Sequence, residues 1–399
     1  MMEAPLFVFF KQITIPFMFV FILFSSEFET VEQASALGIN YGQIANNLPS
    51  PDHVLRLLTS LHITKARIYD ANPKILSAFA NSTIELIVTV PNEALPWLAS
   101  PTQAAKWIAT NITPFIPNTK ITGIAVGNEV FTCQDSALIG SVMSAMVGIR
   151  RGLAEQGLDS VIHVSTASSL AVLANSYPPS MGSFRPELAE VMGEFLRFLS
   201  ETGSPFWINA YPYFAYKGDP ERVPLEYVLF ESGSGMLDPN TGLEYDNMLY
   251  AQVDAVIFAI ARFGYGDIQV SVSETGWPSK GDEDEMGATV ENAMIYNRNL
   301  VARQLENEGT PVRPTPRLEV YLFALFNEDL KPGPTSERNY GLYQPDGTMT
   351  YNVGLSAATS TASVSAINSS ASRQTRGVKL KRLWYCIIAI SLTFQISMR

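Results

Sequence analysis

The sequence predicts a single-domain α/β fold, a (β/α)8 (TIM) barrel over residues 37–355. Two observations predict it, and a third removes its main competitor. Eight short runs rich in β-branched and aromatic residues recur across this stretch. Segments of helical period separate most of them. Strand alternating with helix implies a parallel sheet, and eight such units over roughly 320 residues imply that it closes. An open, doubly wound sheet would want a G-x-G-x-x-G loop after the first strand, and Tyr41-Gly-Gln-Ile-Ala-Asn46 does not supply one.

In order, the expected strands are residues 37–41, 66–69, 84–90, 121–126, 161–164, 205–210, 268–272 and 318–325. The expected helices are 53–61, 137–156, 186–199, 250–263 and 288–305. Each strand run is short, β-branched and bounded by turn residues; each helical run repeats its apolar residues every three or four positions. No clear helix follows the eighth run, so the pattern leaves open how the barrel closes.

The 399 residues flank this domain with two segments of different character. At the N-terminus, Lys11 precedes an apolar run over 13–24, and Ala34-Ser35-Ala36 offers an A-x-A site. Residues 1–36 read as a secretory signal peptide, with cleavage near Ser26 as the other possibility. The run is short of the ~20 apolar residues that span a bilayer. At the C-terminus, residues 356–372 are Ser/Ala/Thr-rich, a composition that cannot bury a core and reads as a stalk. A basic spacer to Arg382 and an apolar tail follow, so residues 373–399 read as a propeptide removed on attachment of a GPI anchor. Ser370 is the expected attachment residue, with Asn368, Ser369 and Ala371 as the other candidates; a spanning tail is the competing reading. The chain is therefore expected to be secreted and held on the outer leaflet of the plasma membrane, facing the cell wall. Asn81, Asn111 and Asn368 each begin an N-x-S/T triplet and are expected to carry glycans.

Charge and composition exclude several classes. The formal net charge of -11 argues against nucleic acid, whose phosphates want a basic face. His53, His62 and His163 are scattered at no ligand spacing. The two cysteines, Cys133 and Cys386, lie on opposite sides of the tail cleavage. No metal site, Ser/His system or cofactor is expected. The chain is expected to act as a monomer.

In such barrels the working groups sit at the C-terminal ends of the strands. Those ends carry Asn128-Glu129 on the fourth strand, Asn209-Ala-Tyr211-Pro-Tyr-Phe214 on the sixth, Glu274-Thr-Gly-Trp277 on the seventh, and Asn327-Glu328 on the eighth, with Lys331 and Glu337 just beyond. Tyr41 and Tyr69 end the first two. Carboxyls and aromatics facing one cleft are what glycosidic bond cleavage requires: one acid protonates the leaving oxygen, a second attacks the anomeric carbon or activates water, and rings stack on the sugar. Each piece has a plainer reading. Asn128-Glu129 could start a helix, the Tyr/Phe cluster could be loop packing, and Lys331 and Glu337 could be a surface pair. Their joint placement favours a site.

Leu37-Gly-Ile-Asn-Tyr-Gly42, Ile124-Ala-Val-Gly-Asn-Glu-Val130, Asn209-Ala-Tyr-Pro-Tyr-Phe214, Val272-Ser-Glu-Thr-Gly-Trp-Pro-Ser279 and Phe323-Ala-Leu-Phe-Asn-Glu328 resemble the plant β-1,3-glucanases of glycoside hydrolase family 17. The likeness covers residues 37–355. It implies a retaining endo-hydrolase of β-1,3-glucan. Glu129 would be the general acid/base, Asn128 would orient the sugar 2-hydroxyl, and Glu274 would be the nucleophile. Glu328, Lys331 and Glu337 would form a supporting charged group. Tyr41, Tyr69, Asn209, Tyr211, Phe214 and Trp277 would line the cleft. Two alternatives remain open at this stage: a non-catalytic glucan-binding surface protein, and a transglycosylase that resolves the intermediate with a second sugar.

Overall fold

The computed structural model describes residues 37–355 except 232 and 234. The signal segment, the stalk, Asn368, Ser370 and the tail lie outside the described residues. Eight parallel strands form a closed barrel: β1 (Leu37–Tyr41), β2 (Lys65–Ile68), β3 (Glu85–Val90), β4 (Lys120–Asn128), β5 (His163–Ser169), β6 (Phe206–Asn209), β7 (Val270–Thr275) and β8 (Val320–Leu322). Neighbours pair in sequence order, and β8 returns to β1 with Leu37 opposite Val320 and Ile39 opposite Leu322. Each expected strand is present, shifted by a few residues at its ends.

The eighth is the shortest. After Leu322 the backbone leaves the ladder: Phe323 N donates to Thr275 O and Ala324 N to Tyr340 O. The segment that follows carries a 3-10 turn (Thr335–Arg338), which Asp282 and Glu285 tie to the loop after β7, and no eighth helix was expected there. β-Pairing between β1 and β8 therefore closes the barrel with no α-helix after β8 among the described residues.

The longer helices are α1 (Pro51–Ser60), α2 (Pro73–Ala78), α3 (Pro101–Asn111), α4 (Ser136–Ala154), α5 (Ala189–Thr202), α6 (Pro212–Gly218), α7 (Met248–Arg262) and α8 (Val290–Leu305). Five match the expected helices. The other three, α2, α3 and α6, each begin with proline, whose fixed φ and missing N–H suit a first helical position. Side chains of Asp135, Asn247 and Thr289 accept backbone N–H groups at the starts of α4, α7 and α8.

The floor of the barrel is apolar. Ile87, Ala125, Ala167, Trp207 and Tyr321 come from five strands and meet in one buried cluster. Gly38 and Gly123 leave the space that the Tyr321 and Trp207 rings fill; a Cβ at either position would strike the ring. Large rings set against glycine keep the lower barrel packed. The two strands that carry acids are also irregular there. Register shifts fall between Ala125 and Asn128 on β4 and between Val272 and Glu274 on β7. Bulges of this kind re-aim side chains beside a site.

Candidate active site

Glu274 ends β7 and is 6% exposed. Three donors converge on its carboxylate. Arg67 Nη1 reaches Oε1 at 2.8 Å, the Tyr69 hydroxyl reaches Oε1 at 2.7 Å, and the Tyr211 hydroxyl reaches Oε2 at 2.9 Å. The Arg67 side chain is fully buried, so its pairing with Glu274 is a desolvated ion pair. The same guanidinium sends Nη2 to Asn128 Oδ1 at 2.8 Å and lies 4.8 Å from the centre of the Tyr69 ring. Asn40 stands behind this group: its amide donates to Ser273, Tyr321 and Leu322 carbonyls, and its Oδ1 lies 3.1 Å from the Tyr69 hydroxyl.

Glu129 follows β4 and is half-buried. Asn209 Nδ2 donates to Glu129 Oε1 at 2.9 Å and lies 3.3 Å from Asn128 Oδ1. Ser273 Oγ fixes Asn209 by donating to its Oδ1 at 2.8 Å. The two acids thus belong to one network, Glu274–Arg67–Asn128–Asn209–Glu129. Burial holds the Glu129 carboxyl above its ordinary range, and the charge of Glu274 pushes in the same direction. Asn209 and Arg67 oppose that shift without cancelling it. With Arg67 and Asn209 on Asn128 Oδ1, Asn128 Nδ2 is left to donate to a ligand.

Beyond β8, Lys331 Nζ pairs with Glu337 Oε2 at 3.2 Å and sits 4.3 Å above the Phe323 ring. Glu328 is buried and accepts from Ile44 N at 2.8 Å. Burial raises its carboxyl, while the Ile44 N–H and the charge of Lys331 pull it down. The direct ion-pair partner of Lys331 is therefore Glu337, with Glu328 set against the loop after β1.

The aromatic expectations divide. Phe214 is 48% exposed, and Tyr69 and Tyr211 are half-buried, so all three offer surface at the mouth. Tyr211 packs edge-on to Phe323 and Tyr340. Trp277 is a correction: it is 0% exposed and cannot wall the cleft. Its ring is packed against Tyr213 and Tyr296, and its Nε1 donates to Gly287 O at 2.8 Å. The turn after Thr275 carries it behind the wall. Tyr41 is a second correction, at 3% exposure, with an edge-on contact to Phe326. Burial pushes its hydroxyl up to about 12, with Asp70 adding to the shift.

Arg67, Asn40 and Ser273 were not anticipated. Side chains alternate along a strand, so Arg67 and Tyr69 share a face. A cationic residue inside an apolar run was the available signal.

Residues 37–355 match Glycosyl hydrolases family 17. The chain is 51% identical over 323 residues to glucan endo-1,3-beta-glucosidase 11 of Arabidopsis thaliana, covering 80% of this chain and 76% of the relative. A glucan endo-1,3-beta-D-glucosidase of Olea europaea is 41% identical over 339 residues, 85% of this chain and 74% of the relative. Among solved structures, a β-1,3-glucanase and allergen of Cryptomeria japonica pollen superposes with a TM-score of 0.77 at 42% identity, covering 81% of this chain and 99% of its own. A plant β-glucan endohydrolase, described as one of two with distinct substrate specificities, gives a TM-score of 0.74 at 35% identity, over 79% and 99% of the two chains.

Proposed function

The chain belongs to glycosyl hydrolases family 17, and from that premise we propose that it hydrolyses internal β-1,3-glucosidic bonds of β-1,3-glucan with retention, using Glu129 as acid/base and Glu274 as nucleophile. The observation that carries the assignment of roles is the asymmetry of the two carboxyls. Glu274 accepts three hydrogen bonds, one from a buried guanidinium, which suits a group that reacts as an anion. Glu129 is held above its ordinary range by burial and by the charge of Glu274, which suits a group that must hold a proton.

In the first step the Glu274 carboxylate attacks the anomeric carbon while Glu129 gives its proton to the departing glycosidic oxygen. A glycosyl ester on Glu274 results. In the second step Glu129, now ionised, takes a proton from water as that water attacks the same carbon and the Glu274 carboxylate leaves. In this reading Asn128 Nδ2 donates to the sugar 2-hydroxyl and the Phe214 ring stacks on a pyranose. The test is the anomer released first from laminarin, read by proton NMR. Retention gives the β anomer; an initial α anomer overturns the assignment of Glu274 as nucleophile.

The ends of the chain support secretion and a lipid anchor. An apolar N-terminal run with an A-x-A site and a stalk, spacer and short apolar tail fit entry to the secretory route and GPI attachment near Ser370. Asn81 is exposed in the turn after α2, an open position for a glycan, whereas Asn111 ends α3 with its amide donating to Trp107 O. The chain then works at the outer face of the plasma membrane. Phosphatidylinositol-specific phospholipase C releases it from membranes in this reading; retention after treatment points to a spanning tail.

A further inference from the structure

The end of β4 takes a conformation that regular pairing does not hold. Its ladder with β3 stops at Val90 opposite Val126. Beyond it Gly127 has φ 78°, and Glu129 has φ 56° and ψ 28°. The left-handed region is costly for a glutamate, on the order of 1–3 kcal/mol, and persists only where the surroundings over-determine it. On the β5 side the restraint is backbone: Glu129 N donates to Ala167 O at 2.8 Å. On the β3 side it is a side chain. Asn128 N donates to Asn92 Oδ1 at 2.7 Å, and Asn92 Nδ2 donates to Asn128 O at 3.0 Å. One carboxamide takes the place of the peptide group that β3 would offer if it ran on. Asn92 also presses on Gly127, where a Cβ would come 3.0 Å from Asn92 Oδ1.

We propose that Asn92 is the positioning residue for the acid/base: by pairing both backbone polar atoms of Asn128, it fixes the left-handed turn that aims Glu129 at the glycosidic oxygen. This rests on the reading of Glu129 as acid/base. Asn92 acts through main chain alone, and only an asparagine of this length supplies one donor and one acceptor there. Aspartate keeps the acceptor for Asn128 N but sets a second acceptor against Asn128 O.

The experiment uses wild type, N92A, N92D and E129A on two substrates. Laminarin has a sugar alcohol as leaving group and needs the acid. 2,4-Dinitrophenyl β-laminaribioside has a leaving group that departs as an anion without it. Sodium azide is added with the second substrate; azide nitrogen bonds to the anomeric carbon as the Glu274 carboxylate leaves, and no base is required. N92A and N92D should lose on the order of 10²-fold in kcat on laminarin, the scale of general acid catalysis. With azide, their turnover of the dinitrophenyl substrate should stay within about threefold of wild type and yield β-glycosyl azide. An equal loss on both substrates, or undiminished hydrolysis of laminarin, overturns the proposal. E129A separates the two readings. If E129A yields no glycosyl azide, the acid/base assignment falls; if E129A yields it and the Asn92 variants do not, the Asn92 proposal alone falls.

Discussion

The ends of β4 and β7 both present a glutamate to the mouth, and they do so by opposite means. Glu274 is fixed through its side chain, by Arg67, Tyr69 and Tyr211, at the end of a buried strand. Glu129 is fixed through its backbone, in a left-handed turn braced by Asn92 and Ala167, with Asn209 as its side-chain donor. The difference suits the role proposed for each carboxyl. Donors clustered on a carboxylate stabilise its charge and fix the attacking atoms. The same donors on an acid would oppose the proton it has to carry. A group that must gain and lose a proton is better aimed by the chain behind it.

The largest effects should come from removing either carboxyl, and they should differ in kind. Glu274→Ala abolishes the glycosyl ester, and kcat on laminarin should fall on the order of 10⁴-fold or more, with no return on adding substrates with better leaving groups. Glu129→Ala should lose about 10²–10⁴-fold on laminarin and far less on an activated aryl glycoside when azide takes the place of the water that Glu129 would activate. Parallel losses on both substrates would show that the two carboxyls do not divide the work as the two strand ends suggest.

A smaller change tests the side-chain restraint alone. Tyr211→Phe keeps the ring against Phe323 and Tyr340 and deletes the donor to Glu274 Oε2. A hydrogen bond to a charged group contributes about 1.5–3 kcal/mol, so kcat should fall roughly 10- to 100-fold with the melting temperature little changed. An unaltered kcat would mean that Arg67 and Tyr69 suffice.

Coupling between the two ends appears in the pH profile. In the proposed reaction Glu129 is protonated for the first step, so kcat/KM should fall as pH rises through its raised pKa. Burial is the larger cause of that shift, and Glu274 the next. In Glu274→Gln the Glu129 pKa should therefore drop yet stay above the ordinary glutamate range, as read by carboxyl NMR titration. No movement would deny that the two acids sense each other.

The sequence made the barrel legible because β-branched runs and helical periods survive without tertiary information. Both acids were legible for the same reason, since strand ends locate the mouth. Trp277 was misplaced because proximity along the chain to Glu274 says nothing about the side to which a turn sends a ring. Arg67 and Asn92 were hidden for different reasons. Arg67 lies in a run whose neighbours are apolar, and its role depends on Glu274 arriving from more than two hundred residues away. Asn92 begins an ordinary turn, and only the closed barrel shows that its amide crosses to β4.

Asp254 sharpens the contrast from outside the site. It sits fully buried on α7, and burial pushes its carboxyl up to about 6 against the hydrogen bond from Val312 N. Like Glu129 it is raised first by desolvation, but it faces the loop after α8, where Val312 N donates to its Oδ2 at 2.9 Å. Its hydrogen-bond partner lies outside the network that joins the two acids. A carboxyl raised in the folded state favours folding when protonated. Its contribution is complete below the unfolded value of about 3.8 and is lost as pH rises through about 6. Asp254→Asn should flatten the stability profile between those limits, by a few kcal/mol at most, and leave the pH profile of kcat/KM in place. A shift in the kinetic profile would join Asp254 to the mouth; an unflattened stability profile would mean that its charge is solvated in the fold.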